Sequence, residues 1–257
     1  MSEAETQPPK RRRRAIYLLP NLFTTSALFA GFYGILAAMD GHFSKAAIAI
    51  FIAMILDTLD GRVARLTNTS SDFGAEYDSL SDVISFGVAP ALIVYEWSLQ
   101  SLGTIGFAQL GLVASFLYAA CTALRLARFN TQLAIADKRF FQGLACPSAA
   151  AIVIGMIWVA DDLGFTGEQL AVPAFVVTVV SALLMVSNFA YYSFKDIGAH
   201  KRLSFMALIL IVLVLAFSSI DPPKMVFAAF VFYACSGPVF SAWRRLRKRD
   251  ARPKAPE

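Results

Sequence analysis

The chain has 257 residues, of which 57% are hydrophobic and only 16% are charged, and its mean hydropathy is +0.60. This composition excludes an ordinary soluble domain, because apolar runs of about 20 residues are typical of membrane-spanning helices. The alternating period of a membrane β-barrel is not visible in the sequence. The sequence therefore predicts an all-α fold, a polytopic integral membrane helix bundle.

The formal net charge of +5 is concentrated at the two ends of the chain and in a few loops. Residues 10–14 read KRRRR, and residues 243–249 read WRRLRKR. Both blocks adjoin apolar runs, so orientation signals and contacts with membrane lipid headgroups are favoured over nucleic-acid binding. We expect no nucleic-acid partner. The sequence divides into a disordered or basic juxtamembrane segment (1–16), a transmembrane domain (17–242) and a basic cytoplasmic tail (243–257).

In chain order, the apolar runs predict about eight membrane spans. They lie at roughly 17–39, 45–66, 80–99, 105–127, 146–161, 170–192, 203–219 and 225–242. Lys and Arg are concentrated in alternate loops, and the positive-inside rule assigns those loops to the cytoplasm. Both termini are then cytoplasmic, which requires an even number of spans. The long polar connections around 67–79, 128–143 and 193–202 fall on the same side, where we expect the functional site.

Four aspartates lie where the second predicted span ends and the third begins. One helical face of the second span carries Asp57, Asp60, Gly61 and Ala64, and one face of the third carries Gly74, Asp78 and Asp82 if that helix begins early. A short polar connection makes the two helices antiparallel neighbours, so the four carboxylates converge at the cytoplasmic end. The small residues among them allow close helix packing or the close approach of a ligand.

A cluster of carboxylates at this depth requires compensating cations. Two unit charges about 4 Å apart repel by roughly 4 kcal/mol at an effective dielectric constant of about 20. Hard carboxylate oxygens favour Mg²⁺, Mn²⁺ or Ca²⁺ over zinc, and a pair of such ions would present Lewis acidity to a phosphate. The alternative is that the aspartates pair with Arg62 and Arg65 or cap helices. Those roles account for one or two carboxylates but are a poor fit to four.

The spacing D-x-x-D-G-x-x-A-R, followed by G-x-x-x-D-x-x-x-D, occupies residues 57–82. It resembles the signature of the CDP-alcohol phosphotransferase family, integral membrane enzymes that join an alcohol to a phosphatidyl group. The resemblance implies that Asp57, Asp60 and Asp78 bind Mg²⁺ or Mn²⁺, with two divalent ions in each site. It also implies that Asp82 is the general base and shares in metal coordination.

The same resemblance implies a binding site for the CDP-lipid substrate. This site is formed by small, polar and acidic residues, namely Asn21, Thr24, Asp57, Asp60, Gly61, Ala64, Arg65, Gly74 and Asp78. Of these, Gly61, Ala64 and Arg65 are implied to lie against the cytidine nucleotide. Asn21 and Thr24 share one turn of the first helix, and for them helix capping or helix–helix contact is an open alternative.

Four further segments, at 17–35, 78–91, 124–130 and 141–151, resemble the phosphatidylserine synthase branch of this family. The resemblance implies transfer of the phosphatidyl group of CDP-diacylglycerol to the hydroxyl of L-serine, with release of CMP, in phospholipid biosynthesis. It implies a multi-pass protein of the bacterial inner membrane whose active site faces the cytoplasm. The family's tendency to dimerise implies a homodimer.

Serine carries a carboxylate, which requires a cationic partner near the site. Arg125 and Arg128, at the end of the fourth predicted span, are the best candidates, and Asn130 is placed to add a hydrogen bond. The two arginines would equally suit the cytoplasmic membrane boundary or a lipid phosphate. The sequence leaves these interpretations open.

Two other functions compete with serine transfer. The first is transfer to another alcohol: glycerol 3-phosphate or an inositol phosphate would require more Lys or Arg near the site, and choline would favour an aromatic cage. The second is a divalent-cation transporter, which would place its carboxylates near the middle of the membrane. Asp57 and Asp60 instead lie near the cytoplasmic end of their predicted span, which counts against transport.

Overall fold

The protein is described here by a computed structural model, which covers residues 10–67, 69, 71–103, 106–132, 140–192 and 221–250. The helices are α1 (Lys10–Met39), α2 (Phe43–Thr67), α3 (Asp72–Asp82), α4 (Ala89–Trp97), α5 (Ala108–Gln132), α6 (Cys146–Asp162), α7 (Ala171–Val186) and α8 (Pro222–Asp250). A π-helical turn, Val83–Val88, joins α3 directly to α4, and a 3₁₀ turn, Leu99–Gly103, follows α4. The predicted helical bundle is confirmed for this part of the chain.

Within the described residues, four helical stretches are long and apolar enough to cross a membrane, as expected of a helical membrane protein. They are Leu19–Met39, Asp72–Trp97, Gln109–Thr131 and Pro222–Ser241. The helix α2 is equally long, but each of its 18-residue stretches contains at least three charged side chains. The helices α6 and α7 are shorter, with 17 and 16 residues. The predicted span at 203–219 lies outside the described residues.

The helix α6 forms the centre of the bundle. Most of its side chains are buried, and the alanines at 149, 150 and 151 are completely so. Their small side chains allow α2, α4, α7 and α8 to pack against α6. Large apolar side chains such as Phe29, Phe116 and Phe232 are exposed on the outer helices. That distribution suits a bundle whose surroundings are lipid.

Three helices extend seven or eight residues beyond the apolar runs that predicted them, and α5 extends five residues beyond its run, to Gln132. The helix α1 begins at Lys10 rather than 17, and α8 continues to Asp250, so both basic blocks are helical. Lys and Arg have high helix propensity, which favours this extension. The helix α3 begins at Asp72 rather than 80, because Ser71 caps it and accepts a hydrogen bond from the Gly74 N–H at 3.0 Å. This early start gives α3 the register that places Gly74, Asp78 and Asp82 on one face.

Two short strands were not predicted. The strands β1 (Phe140–Gln142) and β2 (Ala190–Tyr192) pair antiparallel, with Gln142 opposite Ala190. The sixth predicted span therefore ends at Val186 instead of 192. Ser187 leaves the helix in an extended conformation, and its hydroxyl donates to the Leu184 carbonyl at 2.8 Å and accepts from the Phe189 N–H at 3.4 Å. These local hydrogen bonds replace those that a continuing helix would make.

The bundle has two distinguishable ends. At the end that we call the far end, Ser44 of α2 donates a hydrogen bond to Asp161 of α6, and Lys224 of α8 forms a 3.7 Å ion pair with Asp162. At the opposite end, which we call the site end, Arg125, about two turns before the end of α5, contacts Cys146 at the start of α6. The aspartates of α2 lie toward the site end of that helix.

Candidate active site

Three carboxylates, two from α2 and one from α3, converge on one another. Asp57, Asp60 and Asp78 each offer one oxygen, and these oxygens lie within 4.8 Å of one another. Asp60 is only 4% exposed, and the other two are partly buried. Among the described atoms, Asp78 Oδ1 is buried and has no hydrogen-bond partner. An all-oxygen donor set with a buried, unpartnered oxygen fits Mg²⁺ or Mn²⁺.

Asp82 lies one helical turn beyond Asp78 and outside this group of three oxygens. Its carboxyl group is in hydrogen-bonding contact with that of Asp57. Two ionised carboxylates have no donor between them, so this contact requires either a proton on one group or a cation shared by both. Asp82 thus borders the cluster at a position where it can exchange a proton or add a ligand.

The carboxylates have no ion-pair partner among the described side chains. Among all the described residues, the ion pairs join only Lys224 to Asp162 and Asp221, at the far end. Arg65 instead donates from Nε to the Gly61 carbonyl of its own helix at 2.8 Å, and α3 is capped by a serine. Neither alternative role for the aspartates, pairing with arginine or capping, is observed here. Their negative charge is available to a bound cation.

The small residues of the motif have different surroundings. A Cβ atom added to Gly61 would meet nothing within 4 Å, whereas one added to Gly74 would lie 3.2 Å from Ser71 Oγ and 3.5 Å from Asn21 Oδ1. Gly61 therefore leaves open space beside Asp60, and Gly74 allows α3 to pack on α1. Ala64, half-buried near the end of α2, accepts a hydrogen bond from the Thr69 N–H at 3.0 Å.

The first helix reaches the cluster through Thr24. This residue is 4% exposed, and its hydroxyl lies 2.7 Å from Asp60 Oδ2. Asn21, one turn earlier, lies beside Gly74. The structure thus brings both predicted residues of α1 to the helices that carry the aspartates.

The polar residues at the end of α5 have separate environments. Arg128 donates to Gln142 Oε1 at 2.5 Å, to Asn188 Oδ1 at 2.6 Å and to the Val186 carbonyl at 3.4 Å. Its guanidinium group therefore links α5 to β1 and to the end of α7. A serine ligand would have to compete with these three acceptors.

Arg125 contacts α6, and Asn130 contacts α3. Arg125 donates to Cys146 Sγ at 3.3 Å, and its Nε is buried without a partner in the described structure. The Cys146 thiol lies within electrostatic range of both Arg125 and Asp82. Asn130 donates to Ser79 Oγ at 3.0 Å, beside Asp78 on α3.

Several of these partners were not singled out in the sequence. Gln142 and Asn188 gave no signal, because they meet Arg128 only through the unpredicted strand pair. Cys146, the partner of Arg125, is a buried free thiol. The clearest available signal was Ser71 followed by Asp72, since a serine before an acidic residue is typical of a helix N-terminus.

Residues 17–191 match the model of the CDP-alcohol phosphatidyltransferase family. The chain is 41% identical over 199 residues to the CDP-diacylglycerol–serine O-phosphatidyltransferase of Helicobacter pylori strain 26695, an alignment that covers 77% of this chain and 82% of the relative. It is 34% identical over 241 residues to the protein of that name in Mycobacterium bovis, covering 90% and 81%. It is 36% identical over 183 residues to the archaetidylserine synthase of Methanothermobacter thermautotrophicus, covering 70% and 72%.

Proposed function

This chain belongs to the CDP-alcohol phosphatidyltransferase family, and on that premise we propose that it transfers the phosphatidyl group of CDP-diacylglycerol to the hydroxyl of L-serine and releases CMP. The observation that carries the proposal is the convergence of the Asp57, Asp60 and Asp78 oxygens, with Asp82 beside them. The names of the relatives in bacteria and an archaeon support serine as the acceptor.

In this proposal the carboxylates of Asp57, Asp60 and Asp78 hold Mg²⁺ or Mn²⁺, two ions to a site, and Asp82 shares in the coordination. When bound, the ions neutralise the diphosphate and supply Lewis acidity to it. The buried, unpartnered oxygen of Asp78 supports this assignment, as does the lack of an ion-pair partner for the aspartates among the described residues.

Asp82 acts as the general base. Its carboxylate accepts the proton of the serine hydroxyl while that oxygen attacks the phosphorus bearing the diacylglycerol. A new oxygen–phosphorus bond forms, the bond from that phosphorus to the CMP oxygen breaks, and CMP leaves. Asp82 lies one turn beyond Asp78 on α3, and its contact with Asp57 supports a position beside the metal ligands.

The nucleotide half of the lipid substrate lies along Gly61, Ala64 and Arg65 in this proposal. The open space at Gly61 supports the close approach of a ligand to the backbone of α2. Asn21 and Gly74, which lie next to each other, border the same substrate from α1 and α3.

Arg125 binds the carboxylate of serine, and Asn130 adds a hydrogen bond. The buried Nε of Arg125, unpartnered in the described structure, supports this role. Arg128 contributes mainly by holding the end of α5 in place, because its donors are already directed to Gln142, Asn188 and Val186. The active site faces the cytoplasm from the inner membrane of a bacterium, in a homodimer.

A screen of alcohol acceptors tests the choice of substrate. Purified protein in detergent is supplied with CDP-diacylglycerol, Mg²⁺ and one of L-serine, glycerol 3-phosphate, an inositol phosphate or choline, and the lipid product is identified by mass. Of the four alcohols, we expect only L-serine to give a lipid product. A product with another alcohol in place of serine would contradict the assignment of serine as the acceptor, while leaving the reaction of the family intact.

A further inference from the structure

Among the described side chains of α1, one buried hydroxyl, that of Thr24, contacts the cluster of aspartates. We infer that Thr24 is a positioning residue that orients Asp60 for metal binding, rather than a direct contact of the nucleotide-lipid. This inference rests on the proposed function, since it takes Asp60 to be a metal ligand. Its physical basis is the 2.7 Å contact between Thr24 Oγ1 and Asp60 Oδ2, at a residue that is 4% exposed.

The Thr24 hydroxyl has two acceptors within reach and one proton to donate. The Pro20 carbonyl of the preceding turn lies at 3.2 Å, and Asp60 Oδ2 lies at 2.7 Å. The shorter contact ends on a carboxylate oxygen, and hydrogen bonds to charged acceptors are about twice as strong as neutral ones. The proton is therefore directed to Asp60. This bond occupies one carboxylate oxygen and fixes the plane in which the other can coordinate an ion.

The backbone of Thr24 is held as well. Ser81, which lies between Asp78 and Asp82 on α3, donates to the Thr24 carbonyl at 3.3 Å. One turn later, Ser85 donates to the Ala27 carbonyl at 3.3 Å. Thr24 thus links α2, through its side chain, to α3, through its main chain. These two helices carry the aspartates, so the same residue sets their relative position at the cluster.

The helix contact at this point leaves little freedom for α1 to shift. A Cβ atom added to Gly31 would lie 2.9 Å from both Ser85 Cα and Ser85 Oγ. Because α1 is packed this closely on the π-helical turn, loss of the Thr24 hydroxyl cannot be repaired by a small movement of the helix. Asp60 Oδ2 would lose its donor, and the carboxylate would lose its fixed orientation.

Binding of Mn²⁺ tests this role without requiring turnover. The protein is stripped of metal with a chelator in detergent, and Mn²⁺ affinity is measured by electron paramagnetic resonance for wild type, Thr24→Val and Thr24→Ser. Loss of a hydrogen bond that orients a metal ligand weakens affinity by about 10- to 100-fold, so we expect that loss for Thr24→Val and near-normal affinity for Thr24→Ser. Thr178→Val is the matched control, because Thr178 is also buried but, within the described structure, its hydroxyl bonds only to Ala174 of its own helix.

Mn²⁺ affinity in Thr24→Val equal to that in Thr178→Val would overturn the inference. If Thr24→Val does not fold, Thr24→Ser and Thr24→Ala replace it as a pair that differs only by the hydroxyl, and equal affinity in those two variants would overturn it equally. A wild-type protein that binds no Mn²⁺ would instead overturn the metal site of the proposed function. The two failures are therefore distinguishable.

Discussion

At the scale of single residues, Asp57 and Asp82 touch each other yet have different proposed tasks. Replacement of Asp82 by Asn removes the base but keeps a side chain of the same size, so we expect turnover to fall by about 100-fold or more. Metal-dependent binding of CDP-diacylglycerol should remain. Asp57→Asn removes a metal ligand, so both turnover and binding should fall. Turnover of CDP-diacylglycerol and equilibrium binding of the same lipid, measured on both variants, distinguish these outcomes. Near-normal turnover in Asp82→Asn would show that another group is the base.

Gly61 allows a second test at the scale of single residues. Because nothing lies within 4 Å of a Cβ at Gly61, Gly61→Ala should stabilise α2 by about 0.5–1 kcal/mol through helix propensity. The added methyl group would fill the space proposed for the nucleotide, so KM for CDP-diacylglycerol should rise. Thermal unfolding and steady-state kinetics measure the two effects. An unchanged KM would remove Gly61 from the substrate site.

The residue types of the site were predictable, but their partners were not. The helical spacing of Asp57, Asp60 and Asp78 on paired helices was enough to predict that their oxygens converge, as they do. The sequence could not distinguish a substrate contact from a helix contact at Thr24. That distinction depends on which way a hydroxyl is directed, which follows from tertiary packing and not from local pattern.

At the scale of helices and strands, Arg128 links three elements at the site end. Arg128→Ala removes donors from Gln142, Asn188 and the end of α7, and hydrogen bonds from a charged group contribute about 1.5–3 kcal/mol each. We expect a clear loss of stability on thermal unfolding in detergent, and activity should fall with it. Lys45→Ala, an exposed change at the far end, serves as the control. A raised KM for serine with unchanged stability would instead make Arg128 a direct ligand.

The turn between β1 and α6 depends on Gly143. Its φ is +80°, and an added Cβ would collide with the Met185 carbonyl oxygen. Gly106 has nearly the same φ, +85°, but a Cβ there would meet nothing within 4 Å. Gly106→Ala should therefore cost about 1 kcal/mol from backbone strain alone, and Gly143→Ala considerably more. Thermal unfolding of the two variants compares them, and equal losses would contradict the close contact of this turn with α7.

Among these elements, the apolar helices were predictable, but the two short strands and the π-helical turn were not. The apolar runs placed the starts of α5, α6 and α7, and the end of α6, to within three residues. The strand pair escaped prediction because residues 187–192 are apolar enough to continue a span, and only the Ser187 hydrogen bonds end the helix. The π-helical turn after Asp82 also has no composition signal. It depends on tight packing, since a Cβ at Gly87 would lie 3.0 Å from Thr122.

At the scale of the whole molecule, the connectivity bears on the number of spans. Tyr192 follows α7 at the site end, where β2 pairs with β1 just before α6. Asp221 precedes α8 at the far end, where Lys224 meets Asp162 at the end of α6. Residues 193–220 are not described, but their neighbours lie at opposite ends of the bundle. This placement supports the proposal of about eight spans with both termini in the cytoplasm.

Terminal fusions test this topology. A fluorescent protein that folds only in the cytoplasm is attached to either end, and alkaline phosphatase, which is active only outside the cytoplasm, is attached in parallel. We expect fluorescence and no phosphatase activity from both ends, because the basic blocks at 10–14 and 243–249 retain both ends in the cytoplasm. Phosphatase activity at one end would require an odd number of spans and contradict the proposal.

The central claim is that the aspartate cluster catalyses metal-dependent phosphatidyl transfer to serine, and CMP release tests it most directly. Purified protein in detergent is incubated with CDP-diacylglycerol, with and without L-serine and with and without Mg²⁺ or Mn²⁺. We expect CMP only when serine and a divalent ion are both present, and at least about 100-fold less CMP from Asp82→Asn. Metal-independent release, or flux of the ion across vesicles without any CMP, would contradict it, the latter in favour of a cation transporter.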